Sequence, residues 1–435
     1  MTEATDHEVA RRWAARLVVI GLGFAVLSGE SYRLGFPIAP DRLLLPAGIA
    51  LFFMSGGLRD VGRPVWRIVH TLMTALVLWT VWSALVHGTL TTDLGFFALL
   101  DRIVIPFALF VMAPLLLGDT TSRQFLAKMM IVLAIYLGLL AIFETVGLDM
   151  LVFPRYILDP TAGLLPERAR GPGVSPENNG MVLAAALFIA GTVGLRQFRG
   201  PWRWAAAVAV PLAATGVVLC LTRSVWLGTL LGAIAVVWLS PALRRRWPTI
   251  VAATAVAAGA VLLAVPALRE TLTERLTTER SVYDRQNTND AALSMIAAHP
   301  VDGVGWNRFI DLNVDWVRQA DTYPVTNVAI EVHNVVLSRG AELGLIGAAL
   351  WVGAILAGPG LALVSRPRDS ELADWRLVLV GYACLWGTAI MVSPVPYPLP
   401  NDLLWLLAGM MLRHHLVAHP LSSAAATAPP PPASR

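Results

Sequence analysis

The side chains best suited to chemistry are a few arginines and one histidine that stand beside long apolar segments. Arg170 precedes a Gly/Pro turn, Arg223 lies in a short Thr-Arg-Ser connection, and His333 opens an apolar helix. Arginine offers a planar fork of donors that matches phosphate oxygens, and histidine titrates near neutral pH. Together these residues predict a site that holds an anion and moves a proton.

Structural roles for the arginines are open alternatives. The turn after Arg168 and Arg170 would also serve as a polar re-entry into the membrane, with Asn178 or Asn179 capping the next helix. Arg223 would simply snorkel to the membrane surface. However, Arg223 is the only charged residue between about 204 and 243, and the helix dipole disfavours a cation at a helix start. A bound anion would remove that conflict, which favours a functional role for Arg223.

His333 is expected to face the interior of a helix bundle. Leu337, Ala341 and Gly344 follow it at four, eight and eleven residues and share one helical face. A lone histidine is more often structural than catalytic. This one stands where membrane meets water, next to an arginine-bearing loop, and this position favours catalysis.

Two further pairs of charged residues have simpler interpretations. Asp101-Arg102 interrupts an apolar run, where buried charges are functional candidates by default or else partners of other helices. Glu342 is expected to pair with Arg339, because residues three apart are neighbours on a helix.

The composition describes a chain whose main solvent is lipid. Of 435 residues, 56% are hydrophobic and 14% are charged, against about 25% charged in soluble domains. This excludes a cytosolic enzyme, a disordered protein and a disulfide scaffold. Cys220 and Cys384 lie in apolar runs and indicate neither a disulfide nor a metal site. The basic excess is expected to set membrane orientation rather than to bind nucleic acid.

Twelve apolar runs predict transmembrane helices, which need about 20 mostly apolar residues each. They lie at approximately 13–29, 42–57, 65–87, 95–117, 125–147, 179–195, 203–221, 224–240, 249–266, 335–358, 375–393 and 401–417. With the N-terminus inside, the inner segments hold 19 of the 33 lysines and arginines, as the positive-inside rule requires. Both ends are therefore expected in the cytoplasm of a bacterium, and loops 148–178 and 267–334 on the periplasmic face of its inner membrane.

The expected organisation is one transmembrane domain, residues 1–420, with a periplasmic helical subdomain, residues 267–334, between spans 9 and 10. That loop is predicted to begin with an amphipathic helix from Leu268 to Arg280 and to continue with a helix from Arg285 to Ala298. Residues 421–435, rich in Ser, Ala and Pro, are predicted to form a disordered cytoplasmic tail.

Four ordered blocks between about residues 165 and 412 resemble the O-antigen ligase family, which also holds O-antigen polymerases and bacterial O-linked protein oligosaccharyltransferases. The blocks are Arg170-Gly171 with Pro176 and Asn178 or Asn179; Thr222-Arg223-Ser224; Arg285 with Pro300 and Gly303-Val304-Gly305; and His333-Asn334 with Leu337, Glu342 and Gly344. The resemblance implies an all-α polytopic membrane protein of GT-C-like architecture, with about twelve transmembrane helices and a large helical periplasmic loop.

The resemblance also implies a metal-independent, inverting glycosyltransferase that needs no cofactor. Such an enzyme moves O-antigen glycan from undecaprenyl diphosphate to a sugar hydroxyl of lipid A core. His333 would be the general base. Arg170, Arg223 and Arg285 would hold the diphosphate and stabilise its charge as it leaves, and Asn334 would bind substrate.

Other functions remain open from the sequence. An O-antigen polymerase would use a second lipid-linked glycan as acceptor, and an oligosaccharyltransferase would use a protein. A transporter or flippase of lipid-linked glycan belongs to a different class, in which twelve spans are common. The polar residues lie outside rather than at the membrane midplane, and no internal repeat is evident, which disfavours a transporter.

Overall fold

A computed structural model describes most of the chain, and every regular element in the part it describes is helical. The described residues are 2–27, 29–55, 67–163, 165–245, 248, 252, 259, 280–318, 323–325, 330–367 and 369–413. Three predicted segments lie outside the described residues, apart from single positions: the span at 249–266, the helix from Leu268 to Arg280 and the tail 421–435.

The helices are labelled in chain order within the described ranges. They are α1 Thr2–Phe24, α2 Pro40–Met54, α3 Ile68–Val86, α4 Asp93–Leu99, α5 Ile105–Leu116, α6 Thr120–Val146, α7 Pro176–Ile189, α8 Leu195–Gln197, α9 Pro201–Leu219, α10 Arg223–Leu239, α11 Pro241–Arg245, α12 Arg280–Ala298, α13 Phe309–Trp316, α14 Val335–Ile355, α15 Leu361–Val364, α16 Ser370–Val392 and α17 Pro398–Met411. Three π-helical turns, Leu100–Val104, Ala190–Gly194 and Leu356–Gly360, join α4 to α5, α7 to α8 and α14 to α15.

Seven helical stretches in the described part are long and apolar enough to cross a membrane. They are Ile68–Val86, Asp93–Leu116, Thr120–Val146, Pro176–Gln197, Pro201–Leu219, Val335–Val364 and Ser370–Val392. The chain is thus a multi-pass membrane protein. Helix α10 is apolar but shorter, while α1, α2 and α17 are helical where further spans are predicted. The total of twelve spans stays a prediction.

Two local expectations can be compared with the helix boundaries. Helix α12 begins at Arg280, five residues before the predicted start, and ends at Ala298 as predicted. The prediction that Asn178 or Asn179 caps α7 is wrong. Ser175 is the N-cap, since its side chain accepts a hydrogen bond from the backbone N–H of Asn178 at 3.3 Å. Proline at the first helical position places the cap one residue before it.

Helix α14, which follows His333, is broken at Gly344. Gly344 has φ 69° and ψ −177°, a conformation that only glycine adopts without strain. A Cβ atom here would overlap the carbonyl oxygen of Val301. Glycine is therefore required both by the backbone angle and by the close approach of the chain segment that contains Val301.

The segment Pro300–Gly305, which follows α12, supplies the hydrogen bonds that the broken helix lacks. The bonds are Leu345 N–H to Pro300 C=O at 2.8 Å, Val304 N–H to Ala341 C=O at 2.8 Å, and Gly305 N–H to Glu342 C=O at 3.0 Å. Trp79 of α3 donates to the carbonyl of Leu343 at 2.9 Å. Irregular backbone at membrane depth is tolerated only where protein satisfies its polar groups, so this segment and the break depend on each other.

Trp306 anchors the same segment in the bundle. Its side chain is fully buried, and its indole Nε1–H donates to the carbonyl of Gly95 at 3.0 Å. Its backbone N–H donates to Ser83 Oγ at 3.1 Å, and the guanidinium of Arg339 lies 4.9 Å from the ring centroid. The end of α12 is thereby fixed against α3, α4 and α14.

We predict that α12 lies outside the cell membrane and that residues 197–203 lie on the cytoplasmic side. The test uses a Cys384→Ser background, since Cys220 is buried. Leu293→Cys, at a position 51% exposed on α12, should react with a membrane-impermeant thiol reagent in intact spheroplasts. Arg203→Cys should react only after permeabilisation. The reverse pattern would disprove this orientation.

Candidate functional site

The ends of several helices meet at one end of the bundle, called here the His333 end. Helices α7, α10, α14 and α17 begin there, and α16 ends there. Contacts across this end include Ser175 Oγ–H to Tyr397 OH at 3.0 Å and Asn334 Nδ2–H to the carbonyl of Met391 at 3.5 Å. The starts of four helices thus place positive dipole ends at the same end of the bundle, which favours negative charge there.

Glu177 connects these helix ends, although sequence analysis did not select it. Its carboxylate accepts from Ser224 Oγ at 3.2 Å and from Tyr397 OH at 3.3 Å. The side chain of Ser393 also donates to it. One carboxylate therefore holds α7, α10, α16 and α17 together beside Arg223.

Arg285 and Arg223 lie close enough to interact electrostatically, with Glu177 within range of Arg285. Burial lowers the pKa of Arg285 from its ordinary value, and the positive charge of Arg223 lowers it further. Its Nε atom is buried and makes no hydrogen bond to the described residues. The site thus contains two neighbouring guanidiniums, one of which has an unused buried donor.

His333 lies next to Arg285. Burial lowers the pKa of His333, and the positive charge of Arg285 lowers it further, whereas the charge of Asp284 and a hydrogen bond that the ring donates to the backbone of Glu331 act in the opposite direction. The lowered pKa favours the neutral ring, which is the form that accepts a proton. Its Nδ1 atom is buried and has no hydrogen-bond partner among the described residues.

Asn334 has a structural task next to His333. Its side-chain oxygen accepts from the backbone N–H of Leu337 at 3.1 Å and so caps α14. This cap orients the start of the helix that follows His333. The structure therefore gives Asn334 a role in positioning His333, and a contact with substrate stays a prediction.

Arg170 occupies a different part of this end. Its guanidinium donates to the backbone carbonyls of Ile157 and Ala162, and to that of Asp159 at 3.0 Å. Its own backbone N–H donates to the carboxylate of Glu144 at 2.9 Å. These contacts shape the loop before α7. The structure brings Arg223, Arg285 and His333 together, while the contacts of Arg170 are with its own loop and α6.

The Asp101-Arg102 pair has partners on other elements, which was one of the two interpretations of the sequence. Asp101 binds the guanidinium of Arg42 through both oxygens. Arg102 forms a salt bridge with Glu331 at 2.7 Å. Because Glu331 precedes His333 by two residues, Arg102 ties the segment that carries His333 to the interior of the bundle.

The predicted pairing of Glu342 with Arg339 is confirmed. The two side chains form a salt bridge at 3.3 Å, and both residues are buried. A charge removed from water needs a partner of this kind. The pair lies beside the helix break at Gly344, and neither side chain is among the groups that act on His333 in the described part of the chain.

One family model matches the part of the chain that carries most of this site. Residues 208–352, a third of the chain, match the family model described as O-antigen ligase, which confirms the resemblance over that range. The match indicates a membrane enzyme of the glycosyl-transferring kind. The matched range includes Arg223, Arg285, His333 and Asn334 but neither Arg170 nor Glu177. No curated protein matches the chain.

We predict that Glu177→Gln lowers the rate of glycan transfer by roughly tenfold to a hundredfold. Gln keeps the shape but loses the charge that Ser224, Tyr397 and Arg285 face, and a hydrogen bond to a charged group contributes about 1.5–3 kcal/mol. The measurement is kcat at saturating donor, with thermal unfolding in parallel.

Asp374→Asn is the matched control. Asp374 is also a buried carboxylate, bound by Gln197 at 3.1 Å and Arg196 at 3.2 Å, but it lies at the opposite end of α16. It should leave kcat unchanged. An equal loss of rate in both variants would mean that Glu177 contributes only to stability.

Proposed function

We propose that the protein transfers O-antigen glycan from undecaprenyl diphosphate to a sugar hydroxyl of lipid A core. The reaction would take place on the periplasmic face of a bacterial inner membrane, in a bundle of about twelve spans with GT-C-like architecture. The observation that carries this proposal is the grouping of Arg223, Arg285 and His333 at one end of the bundle. Buried nitrogen atoms of Arg285 and His333 there make no hydrogen bond to any residue that the structure describes.

The two arginines suit a leaving group that gains negative charge. As the bond between the anomeric carbon and the diphosphate breaks, charge accumulates on the phosphate oxygens. Guanidiniums held in place stabilise that charge without having to reorganise. The hydrogen bond from Ser224 to Glu177 fixes the start of α10, which carries Arg223, and the carboxylate of Glu177 attracts Arg285. Arg170 supports the same end by shaping the loop before α7.

His333 suits the other half of the reaction. The acceptor hydroxyl loses its proton as its oxygen attacks the anomeric carbon, and the neutral imidazole takes that proton. Attack from the side opposite the diphosphate inverts the anomeric configuration. The Asn334 cap and the Arg102–Glu331 salt bridge fix the chain on either side of His333, which limits where the base can lie.

The test supplies purified protein with lipid-linked glycan under three conditions: with lipid A core, with an acceptor peptide, and with no added acceptor. We expect glycan joined to lipid A core. Longer lipid-linked glycan without acceptor would indicate a polymerase instead, and a glycosylated peptide would indicate an oligosaccharyltransferase. Movement of donor across vesicles without any covalent product would indicate a flippase. His333→Ala should lower transfer by about 10²–10⁴-fold.

The pH dependence tests the base directly. We expect kcat/KM to be constant near neutral pH and to fall in acid through a pKa below the value of about 6.5 that an exposed histidine has, because the lowered pKa of free His333 keeps the ring neutral until then. The negative diphosphate of bound donor favours the protonated ring, so kcat should fall at a higher pH than kcat/KM.

His333→Gln distinguishes a base from a residue that only orients the acceptor. Gln can still hydrogen-bond a hydroxyl but cannot take its proton. Substantial activity in this variant, with the same acid limb as the native protein, would rule out His333 as the base.

A further inference from the structure

A basic pocket lies at the end of the bundle away from His333. It has a volume of about 160 Å³ and is lined by residues of α1 and α6, among them Arg12, Arg16, Ser122 and Lys128. Glu144, near the far end of α6, contacts the loop of Arg170 at the His333 end. At 1.5 Å per residue, Ser122 is about 30 Å from that contact, so this pocket is separate from the proposed active site.

The charge of the pocket is positive after its carboxylates are counted. Arg12 pairs with Glu8 at 2.7 Å, but both side chains are about half exposed, and such a pair contributes little. Asp119 accepts hydrogen bonds from the N–H and Oγ–H of Ser122 at 2.9 and 2.8 Å and lies within electrostatic range of Arg11 and Arg12. The four cations Arg11, Arg12, Arg16 and Lys128 still outnumber the two carboxylates. Arg16 stacks on the ring of Trp13, 4.9 Å from its centroid, so its charge is available to an anion.

Lys128 is held at the pocket by aromatic rings. Its Nζ atom lies 5.3 Å from the ring centroid of Trp202 and 5.8 Å from that of Phe198. A long lysine side chain is normally free to extend into water, whereas here two rings keep the ammonium beside Arg12 and Arg16. The pocket therefore presents three cations from two helices within one small volume.

Apolar side chains continue from the pocket along both helices. On α1, Ile20 and Phe24 follow Arg12 and Arg16 at intervals of four residues, and both are exposed. On α6, Val132 and Leu139 follow Phe125 at intervals of seven, and both are exposed. These intervals keep the residues on one side of each helix. A ligand in the pocket would thus have charge at one end and apolar surface next to it.

We propose that this pocket binds the phosphate of an anionic phospholipid, whose acyl chains lie along the exposed apolar side chains of α1 and α6. A phosphodiester provides the negative charge that Arg12, Arg16 and Lys128 face, and the hydroxyl-bearing first turn of α6 lies at the same pocket. Basic pockets between transmembrane helices bind lipid headgroups in this way. The binding stands apart from glycan transfer and does not depend on it.

The test is native mass spectrometry of the purified full-length protein in a non-ionic detergent, with phosphatidylglycerol and phosphatidylcholine of identical acyl chains. The native protein should retain phosphatidylglycerol in preference to phosphatidylcholine. The Arg12→Gln/Arg16→Gln/Lys128→Gln variant should lose that preference at least tenfold, because each cation near a membrane surface contributes about fivefold. If the triple variant fails to fold, Lys128→Gln alone should reduce the preference about fivefold.

The matched control removes the same charge from the same end of the bundle. Arg199, Arg203 and Arg245 are exposed and do not line the pocket, so their triple change to Gln should alter the preference less than twofold. Three results would overturn the proposal: equal retention of the two lipids by the native protein, an equal loss in the control, or displacement of the lipid by millimolar inorganic phosphate. The last would identify a site for soluble anions.

Discussion

The hydrogen bonds between the broken helix at Gly344 and the segment Pro300–Gly305 determine where the proposed active site forms. Arg285 lies in α12 and His333 lies just before α14, and a long connection separates them in the chain. The segment that leaves α12 fills the break in α14, so the helix of Arg285 and the helix behind His333 become one unit. Trp306 then fixes that unit to α3 and α4. Lipid cannot hydrogen-bond the backbone groups at the break, so the protein contacts that do so also set the distance between Arg285 and His333.

A second set of contacts closes the site from the other side. Glu177 joins α7, α10, α16 and α17 through hydroxyl groups, and it places Arg223 beside Arg285. The Arg102–Glu331 salt bridge reaches the same end from within the bundle. The helix ends and backbone segments that carry Arg223 and His333 are held by neighbours that take no part in the proposed chemistry, which suits a preorganised electrostatic site.

The sequence predicted the features that arise from neighbours along the chain. Hydropathy located the seven helical stretches that can span a membrane, and helical spacing predicted the Glu342–Arg339 pair. Other contacts join residues that are far apart in sequence, as Arg102 to Glu331 or Glu177 to Tyr397, and periodicity carries no information about them. Glu177 was overlooked for a further reason: an acidic residue in a first helical turn is expected for the helix dipole alone.

The carboxylate of Glu177 also affects which anions the site would retain. Glu177 and Asp284 both lie within electrostatic range of Arg285, so the two carboxylates offset most of the positive charge of the two guanidiniums. A weak net field of this kind concentrates small ions little in salt. Tight binding then requires a ligand whose phosphate groups match the fixed geometry of the arginines. It also requires a second attachment, such as a lipid tail that lies in the bilayer. Soluble phosphate, which has no such second attachment, would compete poorly, so the site would remain open in a compartment rich in free anions.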